Sequence, residues 1–396
     1  VENITHSLLG ATLAEAMLPP AAEPRQRRLF YIAGIVAANL PDADLLYTRI
    51  TPPPLGYLLH HRGHTHTLVG AAGLAFLIWL VTLIPSVRRV VTESPGRFWS
   101  LITFALLSHI VADSWNSYGV HPFWPLDNRW FYGDSIFILE PWLWTILGVF
   151  AAANARTRAG RLLLAAIVIV LPVALVAVRM MGVGSLVALA IAGAVLAWLA
   201  TRLTPQRRAV MALALAAVFV MKMFGLNRVA HDAAIASRPV GTTGEILDLV
   251  LNPKAGAPLC WDVLSIEKNE SAGEYSLQRG EIALFAGWLP WRACPMSGSP
   301  VGASRSVATW AAAQREPLAP LRTLVRDDCW ARAWMQFGRA PQVADGGISD
   351  ARFGGVARGN FSTMALLPPE QARVCPPHLT NWDMPRADLI APALEN

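Results

Sequence analysis

Seven of the nine histidines of this 396-residue chain fall within its first 121 residues, and most have a carboxylate close by in sequence. They occur as His6, then, after the acidic turn Pro41-Asp42-Ala43-Asp44, as His60-His61-Arg62-Gly63-His64-Thr65-His66, then as His109 with Asp113, and finally as His121. Imidazole nitrogen and carboxylate oxygen together are the ligand set of zinc and related divalent ions. The surrounding segments are largely apolar, and ionisable groups in such surroundings are costly unless they pair or bind something. The chemistry implied is a divalent-metal site, zinc-like, with about one to three ions.

Spacing says which of these groups can share an ion. His109 and Asp113 are four residues apart, so they present to one face of a helix. Asn116, about one turn further on, could ligate or orient. Asp42 and Asp44 flank one residue in a turn after the helix-breaking Pro41, so they could face one cation or bridge two; a solvated helix-end turn is the plain alternative. His60 and His64 share a face only if their segment is helical, whereas a turn at Gly63 would bring His61 and His66 together. A pH-sensing cluster is the competing use of so many imidazoles. His6 opens the first apolar segment, with Asn3 or Thr5 as its N-cap. Asp134 and Glu140 flank a helix start that Pro141 suits, and each is a metal ligand, a general base or a favourable charge at a helix N-terminus. Glu15 has no evident partner in sequence.

The elements that must position these groups are membrane helices. The chain is 54% hydrophobic and only 15% charged, too apolar for an ordinary soluble domain. Apolar runs and their breakers mark eight helical segments, roughly 4–18, 28–41, 65–84, 98–114, 136–153, 162–180, 185–201 and 208–225, of which about five or six are long enough to span a bilayer. Arg25, Arg27 and Arg28, then Arg88, Arg89 and Arg97, then Arg156, Arg158 and Arg161, then Arg202, Arg207 and Arg208 fall in alternate loops. The positive-inside rule makes that face cytoplasmic and puts the histidines and aspartates on the opposite, outer face. The same arginine placement argues against nucleic-acid binding despite a net charge of +6. Glu2 in place of a basic start, with no small-residue cleavage site after an apolar core, reads against a cleaved secretory signal. The aromatics of the loop from Trp115 to Tyr132 read as an interfacial belt or as the entrance for a lipid.

Residues 226–396 carry 17 of the 27 acidic residues, so the reading is a membrane helical domain, 1–225, followed by a soluble α+β domain, 226–396. All four cysteines, Cys260, Cys294, Cys329 and Cys375, lie in the second part. An even count in an oxidising compartment reads as two disulfides with open connectivity. Alternating polarity makes 261–268 a strand, 269–274 a turn and 275–284 the returning strand; 320–337 has helical spacing, and the glycine-interrupted 352–367 reads as strand and loop. This domain would cap the site or bind an extracytoplasmic protein partner.

The order of the motifs resembles the YdjM-type family of inner-membrane proteins over roughly residues 1–150. The resemblance rests on Thr5-His6, on Leu40-Pro41-Asp42-Ala43-Asp44, on His61-Arg62-Gly63-His64-Thr65-His66, and on Ser108-His109-Ile110-Val111-Ala112-Asp113 running on to Asn116-Ser117-Tyr118-Gly119. It implies metal-dependent hydrolysis and favours His61 and His66 over His60 and His64 as ligands; Thr67 stands where the family often has serine. A more distant similarity, to zinc-dependent phospholipase C and P1-type nucleases, lies in the order of an early histidine, a later aspartate and an H-x-x-x-D helix, but the Gln-Pro-His continuation is absent here. The expectation is therefore a multi-pass inner-membrane hydrolase of a lipid-linked phosphoester at the periplasmic face. His6, Asp42, Asp44, His61, His66, His109 and Asp113 would hold the metal, with Asp134, Glu140 or Asn116 as catalytic groups. A metal transporter or sensor, or a metal-stabilised scaffold, is the alternative.

Overall fold

A computed structural model describes residues 2–239, 244–285, 294, 307–344, 346–354, 356, 359–367 and 374–391. The N-terminal part is helical. It begins with α1 (Asn3–Met17) and α2 (Pro24–Asn39), which lie so close that a Cβ on Gly10 would collide with the Gly34 carbonyl, and one on Gly34 with the Gly10 carbonyl. Short 3-10 turns at Leu40–Leu46 and Thr48–Ile50 lead to α3 (Leu55–His60), and a third at His64–His66 leads to α4 (Leu68–Thr82). Then come α5 (Pro85–Thr92), α6 (Pro95–Asp113), α7 (Pro141–Asn154), α8 (Arg158–Ala177), α9 (Val183–Ala200) and α10 (Pro205–Ala236). Pro24, Pro85, Pro95, Pro141 and Pro205 stand in the first turn of their helices, where the missing N–H is not needed and the fixed φ suits the helix.

The expected bundle of eight helical segments, five or six of them spanning, narrows to four candidate spans among the described residues: Pro24–Ile50, Arg158–Ala177, Val183–Ala200 and Pro205–Ala236. A fifth arises if Leu55–His66 and Leu68–Thr82, bent by 70°, count as one broken span. At 15 and 14 residues, α1 and α7 cover about 20 Å each, short of a core about 30 Å thick. Helix α6 is long enough but carries Arg97, His109 and Asp113. Helix α10 continues through Gly225 to Ala236, so the composition shift there falls inside a helix. Asn227, Arg228, His231 and Asp232 make that stretch more polar without ending it, because Gly225 alone does not stop a helix and no proline follows before Pro239. The N-cap of α1 is Glu2, which accepts from Thr5 N at 2.8 Å; Asn3 is turned instead to Asp42.

The C-terminal part is an α+β domain. Strands β1 (Glu245–Lys254), β2 (Ala257–Asn269) and β3 (Glu274–Ala283) form an antiparallel meander, and β4 (Ala308–Trp310) and β5 (Gln314–Pro317) both pair with β3. The hairpin read from sequence is thus present, with Val263 opposite Gly280 and Lys268 opposite Tyr275. Helices α11 (Leu318–Asp327) and α12 (Cys329–Trp334) follow, then a second antiparallel sheet of β6 (Pro341–Ala344), β7 (Gly347–Asp350) and β8 (Met364–Ala365), and the short α13 (Ala387–Ile390). The two disulfides are Cys260–Cys294 and Cys329–Cys375.

The two parts share their apolar cores. Trp144, Leu147 and Phe150 of α7 belong to one cluster with Trp261, Val263 and Ile282 of the first sheet. Leu55, Leu58 and Leu59 of α3 sit fully buried with Tyr118, Trp130, Tyr275, Trp334 and Phe337. A six-residue helix has no stability of its own; burying three leucines, at about 1.5–3 kcal/mol each, holds α3 in place. This corrects the interfacial-belt reading of the aromatic loop. Tyr118 and Trp130 are buried against the C-terminal domain, whereas Phe123 and Leu126 remain exposed.

Charge closes the same joint. Arg339, 5% exposed, donates two hydrogen bonds to Asp134 (2.9 and 2.8 Å) and two to Asp248 (2.7 and 3.0 Å), with its guanidinium 4.1 Å from the centre of the Tyr132 ring. Arg352 donates to Asp350 and to the Ser117 carbonyl. A planar fork serving two carboxylates cannot be replaced by a point charge. Arg339→Met should therefore leave Asp134 without its cation and Asp248 with only Arg386 at 3.5 Å, and cost about 3–5 kcal/mol, read as a lowered apparent Tm in detergent. Arg339→Lys should recover only part of the loss, and a wild-type Tm in Arg339→Met would contradict this account of the joint.

Candidate metal centre

Four elements deliver the ionisable groups to one place: the N-terminal turn of α1, the 3-10 turn after α2, the His64–His66 turn and the C-terminal end of α6. Pro41 follows α2 and converts its end into the 3-10 turn that carries Asp42 and Asp44. Arg62 sits at φ +59° and so reverses the chain between α3 and the histidine turn. Gly70 lets α4 start directly on that turn, since a Cβ there would strike the His64 carbonyl. On α6, His109 and Asp113 point the same way, as their spacing requires.

One nitrogen or oxygen each from Asp42, His66, His109 and Asp113 lie within 4.8 Å of one another. His66 Nε2 is 3.0 Å from His109 Nε2, 3.4 Å from Asp42 Oδ1 and 3.3 Å from Asp113 Oδ2. His109 Nε2 is 3.5 Å from Asp42 Oδ1 and 3.6 Å from Asp113 Oδ2. A tetrahedral ion with bonds of about 2.0–2.1 Å has ligand–ligand edges of about 3.3–3.4 Å, which is the scale of this set.

The outer partners fix the ring tautomers. His109 Nδ1 donates to the Ala38 carbonyl at 2.6 Å, and His66 Nδ1 lies 3.2 Å from Asp44 Oδ2. With both Nδ1 protons so committed, two Nε2 lone pairs and two carboxylate oxygens converge. A proton between them can serve one acceptor, whereas a divalent ion serves all four. This carboxylate–imidazole arrangement is the usual support of metal-bound histidine. Asp44, fully buried, also accepts from Arg62 N and the Thr65 hydroxyl, each at 2.9 Å, and from His61 Nδ1 at 3.0 Å.

Asp42, Asp44 and His61 form a second group that shares Asp42 with the first. Asp42 is also the open member of the first group: its side chain is 14% exposed, against 0% for the two histidines and 1% for Asp113. Catalytic ions keep an accessible position, and this one lies on the Asp42 side.

Of the seven ligands expected from sequence, six fall in these two groups. The seventh, His6, stands behind the site: its Nε2 is 3.2 Å from the other Asp113 oxygen and its ring stacks on His109 at 3.9 Å. His60 bonds the Thr51 hydroxyl at 2.8 Å, His64 packs against Trp124 and Trp382, and His121 stacks on Trp382 with Trp130 tilted against its other side. Burial pushes His121 down to about 3, so it is a neutral packing residue. Asn116 accepts from Arg62 Nη1 at 3.0 Å and orients that side chain. Asp134 is taken up by Arg339, and Glu140 is the N-cap of α7, accepting from Trp142 N; neither is in either group.

Sequence reasoning assigned no role to Arg62 or Thr65, and read Asn3 only as a helix cap. Arg62, 3% exposed, places Nε 3.0 Å from Asp113 Oδ2 and sets a fixed positive charge against a buried carboxylate. The signal available was an arginine inside the histidine cluster. Asn3 donates to Asp42 Oδ2 at 2.6 Å. Glu15, unpartnered in sequence, is buried against Arg27 and Tyr31 of α2.

Residues 1–183 match the family model described as YdjM inner membrane protein, a stretch that contains every residue of both ligand groups. The chain is 25% identical over 144 residues to the uncharacterized protein YfhP of Bacillus subtilis (strain 168). That match covers 35% of this chain and 42% of the relative, so less than half of YfhP is represented. No solved structure matches the chain.

Glu140 leaves a signature separate from metal. It is 1% exposed, and burial pushes its carboxyl up to about 8 from 4.5. The folded state then binds more protons than the unfolded state between those values, so this group makes stability fall as pH rises from about 4.5 to about 8. Glu140→Gln should be more stable than wild type at pH 8, with the difference vanishing near pH 4, as read from apparent Tm across a pH series. A variant that tracks wild type at every pH would contradict the assignment.

Proposed function

We propose, with the match of residues 1–183 to the YdjM inner membrane protein family as premise, that the chain is a membrane-embedded metal-dependent hydrolase. The observation that carries this reading is the convergence of Asp42, His66, His109 and Asp113 at the edge lengths of a tetrahedral ion, with one accessible side. A mixed nitrogen and oxygen set of this size suits zinc. The group formed by Asp42, Asp44 and His61 offers a neighbouring position for a second ion.

The chemistry supplied by a zinc-like ion is a lowered water pKa and a polarised phosphoryl oxygen. The protein's own groups do the rest. Ala38 O and Asp44 hold the two imidazoles in the tautomer that presents Nε2. Arg62 and Asn116 hold Asp113 in place. Where that second position holds no ion, His61, braced by Asp44 and partly open to solvent, is the group positioned to take up a proton, a role that Asp134 and Glu140 are too engaged elsewhere to fill.

The substrate class we favour is a lipid-linked phosphoester, because the site lies at the ends of apolar helices where headgroups would stand. The arginine bias of the loops supports an outer-face, periplasmic orientation, and the pair of disulfides supports an oxidising compartment for the C-terminal domain. That domain is clasped to the loop beside the site, and we assign its far surface to an extracytoplasmic partner.

Metal content and hydrolysis of a panel of lipid phosphoesters, measured on the same detergent-purified samples, test this. Wild type should hold at least one ion per chain and show turnover that chelator removes. His66→Ala should lose both, and Asp44→Asn should lose about 10- to 100-fold in metal affinity or rate while circular dichroism stays unchanged. Turnover in folded His66→Ala equal to wild type would sink the mechanism.

A further inference from the structure

Away from the metal centre, a groove of about 690 Å³ opens between α1 and α2 on one side and α7 and α8 on the other. Its walls are apolar over most of their length, with Leu8, Ile35, Leu164 and Ile167 among the lining side chains. That volume is within the range of small-molecule sites, but two of its four walls, α2 and α8, carry the membrane-spanning signature, so the opening faces what would be the bilayer. The polar groups are confined to its ends. Asn3 and Ser7 stand at one end, and Arg27, Arg28 and Arg156 at the other.

The three arginines are not equivalent. Arg27 is committed inward, paired with Glu15 at 2.6 Å. Arg28 and Arg156 are exposed, and among the described residues neither has an ion-pair partner. Two unneutralised guanidiniums on two different elements, at the mouth of an apolar groove, match an amphiphile with a negative head and a hydrocarbon chain. They do not match a neutral apolar helix, which would leave both charges unused. Arginine forks suit phosphate oxygens in particular. The same arginine-bearing end is the one the positive-inside rule assigns to the cytoplasmic leaflet, where anionic lipids present such headgroups.

We propose that this groove is the binding site of an anionic phospholipid, its phosphate held between Arg28 and Arg156 and one acyl chain laid along α1, α2 and α8. The bound lipid fills the gap beside α1, the helix that carries His6 and, through Asn3, touches Asp42. It is a resident lipid and not the hydrolytic substrate, because its headgroup end is the arginine end and not the end at Asn3.

Native mass spectrometry of the full-length, delipidated protein in detergent tests this with two probes of equal chain length, phosphatidylglycerol and phosphatidylcholine. Wild type should retain phosphatidylglycerol at concentrations about 10- to 30-fold lower than phosphatidylcholine, because both carry the phosphate but only phosphatidylglycerol leaves its charge uncompensated, at about 1 kcal/mol per arginine. Arg28→Gln/Arg156→Gln should erase that preference, and Ala11→Phe, which narrows the groove, should weaken retention of both lipids. Metal content should be unchanged in each variant, which separates this result from the fate of the hydrolase reading. Equal retention of the two lipids by wild type, or a preference that survives the double substitution, would overturn the headgroup assignment. Undiminished binding by folded Ala11→Phe would overturn the location.

Discussion

The structure is organised around a cluster of buried carboxylates. Asp113 and Asp44 are almost fully buried and Asp42 nearly so, in a helical region that is otherwise poor in charge. Such groups are tolerated only when surrounded by donors or a cation. Arg62 and the hydrogen bonds from Asn3, Thr65 and the Arg62 amide meet part of that requirement. The converging Nε2 atoms of His66 and His109 meet the rest only if something positive lies between them. The close packing of α1 on α2 and the turn at Arg62 serve to bring these groups within reach of one another.

The C-terminal domain supports this centre from the side of the loop between α6 and α7. Aromatic side chains of that loop pack into the domain's core, and Arg339 and Arg352 pin it at Asp134 and Ser117. The loop begins at the end of α6, directly after Asp113, so its attachment also limits how far that helix end can move. His121, stacked on Trp382 and tilted against Trp130, shows the same coupling: a histidine from the histidine-rich stretch of sequence is used as a packing residue in the joint between the two parts.

How much of this was legible in the sequence follows from the range of each interaction. His109 and Asp113 were readable as a pair because helical periodicity alone puts them on one face. The β2–β3 hairpin was readable because alternating polarity and a polar turn are local signals. The engagement of Asp134 was not, since its partner Arg339 lies 205 positions away and no periodicity links them. Helix starts were partly misread: Glu2 caps α1 because Asn3 is drawn to Asp42, a tertiary contact that outweighs the local preference for asparagine as a cap. The span count stands at four, or five with the bent pair, against the five or six expected, because apolar content marks burial in protein and burial in lipid alike, and α1, α6 and α7 bury many of their residues in the protein.

The central claim is that His66, His109, Asp42 and Asp113 share one ion. X-ray absorption at the metal edge of detergent-purified protein, never exposed to chelator, addresses it most directly. The account predicts a first shell of nitrogen and oxygen at about 2.0–2.1 Å with the outer-shell scattering of two imidazoles, reduced to one imidazole in His109→Ala. A sample that is folded but metal-free, or a bound ion whose shell lacks imidazole, would contradict it.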